Sequence, residues 1–261
     1  MAHLVIPGGN GFIGSHIARL AAEHGHDVTA FGRSGAPDLD PDSHAWMRDV
    51  RWRAADVFDL DTWRDALASA DAVIHSIATI RQNPEQDRTF DRVNAESALR
   101  AAEAADKAGV EAFVFLSVRD KPPFVSGRFI AAKRRAERDI PQAYPDLRFV
   151  SLRPNLVFGP GRRGSGTLAA LLETAQPWTR FSYATPGGRP LPVELVAAAA
   201  VHAAVTPSVE GTLSVPQIDE FGRTSGLVGM DELSEPSLVP FLLGVGGAAL
   251  GGWLLRRAFR S

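Results

Sequence analysis

Three groups of residues in this 261-residue chain have the types and spacing to do chemistry. The first is Gly8-Gly9-Asn10-Gly11-Phe12-Ile13-Gly14, which follows the apolar run Leu4-Val5-Ile6 and opens a helical pattern. A strand that turns directly into a helix over glycines presents free backbone N–H groups at the helix start, and these attract phosphate oxygens. Two spacings overlap, Gly9-x-Gly11-x-x-Gly14 and Gly8-x-x-Gly11-x-x-Gly14, so a dinucleotide pyrophosphate is expected against Gly8 to Gly14. The second group is Arg33-Ser34, at the end of the next apolar run. An acidic residue at that place would hold the ribose hydroxyls of NAD(H). Arg33 can grip a 2′-phosphate bidentately, which favours NADP(H) and leaves NAD(H) as the alternative. The competing readings of Arg33 are stacking on adenine and simple exposure to solvent. The third group is Ser117, closing the fifth apolar run, with Lys133 in Phe129-Ile130-Ala131-Ala132-Lys133. The i, i+4 spacing puts Phe129 and Lys133 on one face of a helix.

Apolar runs alternate with helical patterns through the first 150 or so residues, the rhythm of βαβ units. The fold class expected is α/β: a Rossmann-type doubly wound parallel sheet with a small C-terminal substrate lobe and an apolar tail. Strands are expected at Leu4–Ile6, Asp27–Phe31, Val50–Ala54, Ala72–Ser76, Ala112–Ser117 and Arg148–Arg153. Helices are expected at Phe12–His24, Asp61–Ser69, Phe90–Ala108 and Gly127–Ile140. Beyond Pro154 the pattern predicts a Gly/Pro-rich loop, a helix Thr167–Thr174, a strand near Arg180–Tyr183, a helix Pro192–Val205 and a last strand near Gly211–Val215. The domain boundaries that follow are 1–158 for the dinucleotide-binding domain, 159–216 for the lobe, 217–236 for a polar linker and 237–261 for the tail.

Composition narrows the function classes. The 28 basic and 30 acidic residues nearly cancel, leaving a net charge of −2, so nothing suggests a nucleic-acid partner. The absence of cysteine excludes disulfides, thiolate metal sites and cysteine nucleophiles. The seven histidines are scattered, and no metal site is expected. With a strand already under way by Leu4, no room is left for a cleaved signal peptide, and the body is expected to be cytoplasmic.

Several blocks, in this order, resemble the extended and atypical short-chain dehydrogenase/reductases, the NAD(P)-dependent epimerase/dehydratase-like proteins, over about residues 1–215. They are Gly8 to Gly14, Asp56-Val57, Ile74-His75-Ser76, Val93-Asn94, Phe115-Leu116-Ser117 and Leu152-Arg153-Pro154-Asn155-Leu156-Val157-Phe158-Gly159-Pro160-Gly161. The runs Gly8 to Gly14, Arg33-Ser34-Gly35 and Asp56-Val57-Phe58-Asp59 are similar to the quinone-linked atypical branch. That branch includes the nucleotide-binding accessory subunit of respiratory complex I and an accessory protein of fungal ubiquinone biosynthesis. The resemblance implies a dinucleotide held by Gly8, Gly9, Asn10, Gly11, Phe12, Ile13, Gly14, Arg33, Ser34, Asp56, Val57, His75, Ser76, Ser117, Lys133, Pro154 and Asn155. Asp56 would meet the adenine amino group, or else serve as a turn residue. His75 would approach the nicotinamide side, or else be a hydrogen-bonded structural histidine. A quinone or a small carbonyl is the substrate class implied.

The family pairs its lysine with a tyrosine four residues earlier, and here that residue is Phe129, which has no phenolic proton to give. A positioned acid typically contributes about 10²–10⁴ in rate, so the ordinary chemistry is disabled. Of the two tyrosines, Tyr183 in the lobe could act as the acid from above, or be a packed aromatic. Ser117 could bond a substrate oxygen, or cap the following loop. Three functions compete: dinucleotide binding without turnover in a quinone-related assembly, a reductase with another proton donor, and a nucleotide-sugar epimerase relative. From Leu238 to Leu255 the chain carries no charge, and Arg256, Arg257 and Arg260 follow. That tail is expected to meet the inner face of a membrane peripherally, or a protein partner.

Overall fold

The computed structural model describes residues 1–120, 126–161 and 188–235. Its strands are β1 (His3–Pro7), β2 (Asp27–Gly32), β3 (Val50–Ala54), β4 (Ala72–His75), β5 (Ala112–Leu116), β6 (Arg148–Leu152), β7 (Val157–Phe158), β8 (Leu191–Pro192) and β9 (Gly211–Leu213). Seven of them form one parallel sheet in the order β3-β2-β1-β4-β5-β6-β9, while β7 and β8 pair separately. The order reverses between β1 and β4, and in such sheets the crevice beyond the strands' carboxyl ends at the reversal takes the ligand. Register makes that edge level: Pro7 pairs with Phe31 and Gly32 with Ala54. The residues that follow these strands, Gly8, Arg33 and Ala55-Asp56, therefore emerge side by side.

The helices are α1 (Phe12–Glu23), α2 (Ser97–Lys107), α3 (Gly127–Ala143), α4 (Val193–Val205) and α5 (Val215–Thr224). Alternate strand residues feed opposite faces, as the two-residue period requires. Leu4, Ile6, Ile74, Val114 and Leu116 pack with α1 and α4, whereas Val5, Val73, Phe113 and Phe115 pack with α2 and α3. Helix α4 is buried almost all round because α1, α5 and the sheet enclose it. Arg148 closes its end by donating to the carbonyls of Ala203, Ala204 and Val209 at 2.7–2.8 Å.

Several elements depart from expectation. The helix expected at Asp61–Ser69 is two short 3₁₀ turns, Leu60–Thr62 and Arg64–Leu67, because Trp63 between them leaves the helical region with φ −148° and ψ −4°. That bend buries its indole completely, 5.0 Å from the ring of Phe31. The helix expected at Phe90–Ala108 opens with a π-helical turn at Arg92–Glu96. Within that turn Asn94 is fully buried, its amide accepting from the N–H of Thr79 at 2.9 Å and donating to the Thr79 carbonyl at 3.0 Å.

The expected linker 217–236 begins as helix. In α5, Val215, Ile218 and Gly222 face α4, while Asp219 holds Arg223 and Arg189, so the polar composition is that of an amphipathic helix. Gln217 Oε1 accepts from the N–H of Ser214 at 3.0 Å and from its hydroxyl at 2.7 Å, fastening the helix start. The stretch expected as a separate lobe likewise supplies α4 and β9 to the main body. The expected helix Thr167–Thr174, the strand near Arg180–Tyr183 and the tail lie outside the described residues.

The α4–α5 contact yields a stability prediction whose sign separates two effects. Helix propensity alone would make Gly222→Ala more stable by about 1 kcal/mol. A Cβ at Gly222, however, would stand 2.6 Å from the Leu195 carbonyl oxygen and 3.0 Å from its Cα, both backbone atoms. The clash should win, with a net loss of about 1–3 kcal/mol in denaturant unfolding. An increase in the unfolding midpoint would show that α4 and α5 are not packed this closely.

Candidate functional site

The glycine turn is built by three close approaches. Gly8 has φ +82°, a conformation costly for other residues, and its N–H donates to Phe31 O at 2.8 Å. A Cβ on Gly9 would stand 2.6 Å from Ala30 Cβ, and one on Gly14 would stand 2.2 Å from Gly8 O. Only bare backbone lets α1 start this near β1. Gly11 caps α1 without a side-chain hydrogen bond, and no acidic residue occupies the first turn. No carboxylate of the first turn therefore competes with an anion for the N-terminal N–H groups. These features fit a dinucleotide pyrophosphate.

Beside the turn lies a cleft of about 400 Å³ whose walls include Gly8, Asn10, Gly11, Arg33, Asp56, Val57 and Ser76. The structure therefore gathers seven of the residues singled out from sequence at one place. Asn10 links the turn to β2: its Nδ2 donates to Ser34 Oγ at 2.9 Å, and its amide lies so close over Gly32 that a Cβ there would be 2.0 Å from Asn10 Oδ1. Asp56 turns one carboxylate oxygen to the N–H of Phe58 at 3.0 Å, so it shapes the bend after β3 as well as lining the cleft. Ser76 donates to the Pro7 carbonyl at 3.1 Å. Gly9 and Gly14 serve the packing of the turn, and Phe12 faces a second groove on the far side of the α1 start, shared with His16 and Trp46.

Sequence reasoning missed the hairpin after β4. Asn83 and Arg88 bridge each other across a tight turn in which Asp87 has φ +53°. The hairpin adds Gln86, Asp87 and Arg88 to the cleft wall, and Arg92 follows it. Arg92 pairs with Asp87 at 2.6 Å and lies 4.0 Å over the ring of Phe58.

His75 is a correction. Its ring does not reach the cleft: it is fully buried on the α2 face, 6.1 Å from the Phe113 ring and 5.7 Å from that of Phe115, with Nε2 3.2 Å from Ser97 Oγ. The two-residue alternation of β4 sends it there, opposite to Ile74. Burial, and then the charge of Lys133, push its pKa down to about 3, so it is a neutral structural imidazole.

Phe129 and Lys133 do share one face of α3, as their spacing requires. Phe129 is buried edge-on to Phe90 at 5.9 Å. Lys133 is 1% exposed; its Nζ donates to Leu116 O at 2.8 Å and sits 4.5 Å over the Phe115 ring. Burial pushes its pKa down to about 7.

One turn further along the same face is Glu137, which sequence reasoning also passed over, although Phe129, Lys133 and Glu137 form an i, i+4, i+8 series. Glu137 takes Arg153 through both oxygens at 2.8 and 2.7 Å, Arg134 at 2.9 Å and Ser151 at 2.7 Å. Burial works against its charge, yet the hydrogen bonds of Arg153, Ser117 and Ser151 and the charge of Arg134 hold the carboxyl below its usual range. Ser117, 8% exposed, belongs to this network, with Arg134 Nη1 at 3.4 Å from its Oγ. Pro154 accepts from the N–H of Arg119 at 2.8 Å, and Asn155 donates to the Gly188 carbonyl at 2.8 Å. Tyr144 caps the far end of α3, about 22 Å along the axis from Phe129 at 1.5 Å per residue, and cannot replace it as an acid. Tyr183 lies outside the described residues.

Comparison with known proteins agrees with this geometry. The model of the NAD dependent epimerase/dehydratase family matches residues 4–177. An uncharacterized chloroplastic protein of Arabidopsis thaliana is 37% identical over 159 residues, covering 60% of this chain and 51% of the relative. MIOREX complex component 2 of Saccharomyces cerevisiae is 26% identical over 208 residues, 62% of this chain and 75% of the relative. Ceramide reductase of Caulobacter vibrioides is 33% identical over 161 residues, 60% of this chain and 47% of the relative. The chain thus spans about half the length of the Arabidopsis and Caulobacter relatives. Among solved structures, the UDP-glucose 4-epimerase of Thermus thermophilus in complex with NAD superposes with a TM-score of 0.59 at 22% identity, over 94% of this chain and 93% of that one, and so shares the fold. Because the matched residues run unbroken from β1 through the glycine turn, the cleft and β6, the chain belongs to the NAD dependent epimerase/dehydratase family.

Proposed function

We propose that this protein binds NADP(H) in the cleft beside the glycine turn and does not carry out the tyrosine-dependent chemistry of its family. The observation that carries the reading is Arg33: it lines the cleft at the carboxyl end of β2, where an acid would select NAD(H), and it has no acidic partner among the described residues. Gly8, Asn10 and Gly11 would hold the pyrophosphate, Asp56 and Val57 the adenine, and Arg33 with Ser34 the ribose phosphate. A bound nicotinamide would supply hydride transfer. On the protein side, a carbonyl reduction also needs a proton at the new hydroxyl, and Phe129 in the position four residues before Lys133 offers only hydrocarbon. The same gap weighs against sugar epimerisation, which begins with removal of a hydroxyl proton.

A second reading, a working reductase with another donor, is favoured by the Caulobacter relative, whose name describes it as a ceramide reductase. It would require a proton donor from beyond the described residues, and Tyr183 is the candidate. A quinone-linked setting rests on the motif resemblance of Gly8 to Gly14, Arg33 to Gly35 and Asp56 to Asp59. No helix among the described residues is long and apolar enough to cross a membrane, and the tail proposed to reach one lies beyond them.

Titration calorimetry with NADPH and NADH tests the reading. NADPH should bind roughly tenfold more tightly, since a charge-assisted hydrogen bond contributes about 1.5–3 kcal/mol and solvent screening reduces this at an exposed arginine. Arg33→Ala should remove most of the difference, and equal affinities in the unaltered protein would refute the NADP(H) assignment. Phe129→Tyr should leave binding intact and create activity toward small carbonyls or quinones; strong activity in the unaltered protein, undiminished by Tyr183→Phe, would show that the proton comes from elsewhere.

Lys133 gives a pH test. Its folded pKa of about 7 lies below the unfolded value of 10.5, so between these values the unfolded chain binds more protons and stability rises with pH. The stability of the protein relative to Lys133→Met should therefore climb by roughly 1 kcal/mol per pH unit from about pH 7 towards 10. A flat difference in denaturant unfolding would mean that Lys133 is solvated.

A further inference from the structure

The cleft wall carries three arginines, Arg33, Arg88 and Arg92, and they differ in how they are neutralised. Arg92 is committed: Asp87 holds its Nε at 2.6 Å, Glu96 stands 3.8 Å from its Nη1, and its guanidinium covers Phe58. Arg33 and Arg88 have no carboxylate partner among the described residues. Of the two acids on the same wall, Asp87 is paired with Arg92, while Asp56 accepts from the N–H of Phe58 and forms no ion pair with an arginine of the cleft among the described residues. Three guanidinium groups against two carboxylates leave the wall net positive, and the two arginines without an ion pair are the ones able to take an anion.

The hairpin that carries Arg88 is tied to the β2–β3 side of the sheet. Arg92 stacks on Phe58, which follows β3, so the hairpin ahead of it is fastened against the same edge of the sheet from which Arg33 emerges. The backbone bridge between Asn83 and Arg88, with N–H to carbonyl distances of 2.9 and 3.0 Å in the two directions, fixes where the Arg88 side chain leaves the hairpin. The left-handed Asp87 allows the chain to reverse so tightly, and its bond to Arg92 holds that turn in place.

We propose that Arg88 is a second phosphate-binding guanidinium, so that the hairpin Asn83–Arg88 takes part in telling a 2′-phosphorylated dinucleotide from the unphosphorylated form. This rests on the reading of the cleft as an NADP(H) site. The ligand class recognised is an adenosine bearing phosphoryl groups at both the 5′ and 2′ positions.

Calorimetry with four probes, NADPH, NADH, adenosine 2′,5′-bisphosphate and adenosine 5′-monophosphate, tests it on the full chain and on Arg88→Gln. Arg88→Gln should weaken NADPH and the bisphosphate on the order of tenfold while leaving NADH and the monophosphate unchanged, and the retained NADH affinity reports an intact fold. Added salt should weaken NADPH more steeply in the unaltered protein than in the variant. A preference for NADPH that survives Arg88→Gln overturns the role of Arg88 and leaves the cleft reading standing. Equal weakening of all four probes places Arg88 on the shared 5′-phosphate and also overturns it. No preference in the unaltered protein overturns the cleft reading and this inference together.

Discussion

The contact on which the rest depends is the approach of the α1 start to the end of β1, where a Cβ on Gly14 would lie 2.2 Å from the Gly8 carbonyl oxygen. Nothing larger than hydrogen fits, so α1 sits against the sheet with its first-turn N–H groups directed past the strand ends. The same closeness continues sideways. Asn10 leans over Gly32 and reaches Ser34, so the turn after β1 and the turn after β2 are held as one unit. Arg33 owes its place on the cleft wall to that unit and to the register that levels Pro7, Phe31 and Arg53. A conformational constraint on backbone thus becomes a placement of charge.

The opposite face of the sheet follows a different economy. The space under α2 and α3 contains His75, Lys133 and Glu137, all buried, among phenylalanines and alanines. Burying an ionisable group costs free energy unless it is paired or made neutral. The three meet this differently: His75 stays neutral, Glu137 gathers two arginines and two serines, and Lys133 has a single carbonyl and an aromatic ring. Lys133 is the least compensated, and packing alone does not account for it, since a methionine of similar length would fill the space without desolvating a charge.

The fold was largely legible because it is written in period. Strands buried on both faces read as short apolar runs, and the six expected strands β1 to β6 fall within a residue of the observed ends. What period could not show was set by single side chains acting at a distance. The commitment of Trp63 to the core broke an expected helix into 3₁₀ turns, and Asn94 reaching Thr79 accompanied the π-helical turn. In α5 the acids that suggested a linker form the wet face of a helix whose dry face is Val215, Ile218 and Gly222, with Phe221 beside them. At the site the glycines, Arg33 and Asp56 were legible from local spacing, whereas Arg88 and Arg92 were not, because a hairpin of no regular period brings them in. His75 was misplaced for a reason that lies in the sequence after all: strand alternation sends it to the face opposite Ile74.

The two halves of the site are therefore built from different materials. The cleft beside the glycine turn is largely backbone, held by glycines and neighbouring strand ends, with Asn10, Arg33, Asp56, Asp87, Arg88 and Arg92 among its polar side chains. Away from the cleft wall, α3 presents the buried hydrocarbon of Phe129 and a lysine already bonded to Leu116. Phe129 does not line the cleft, and no hydrogen bond ties it to the glycine turn. The residue type at that position therefore does not bear on the attraction of the helix start for phosphate. The glycine turn and the α3 face can therefore vary independently, and this chain joins a complete glycine turn to a phenylalanine at position 129.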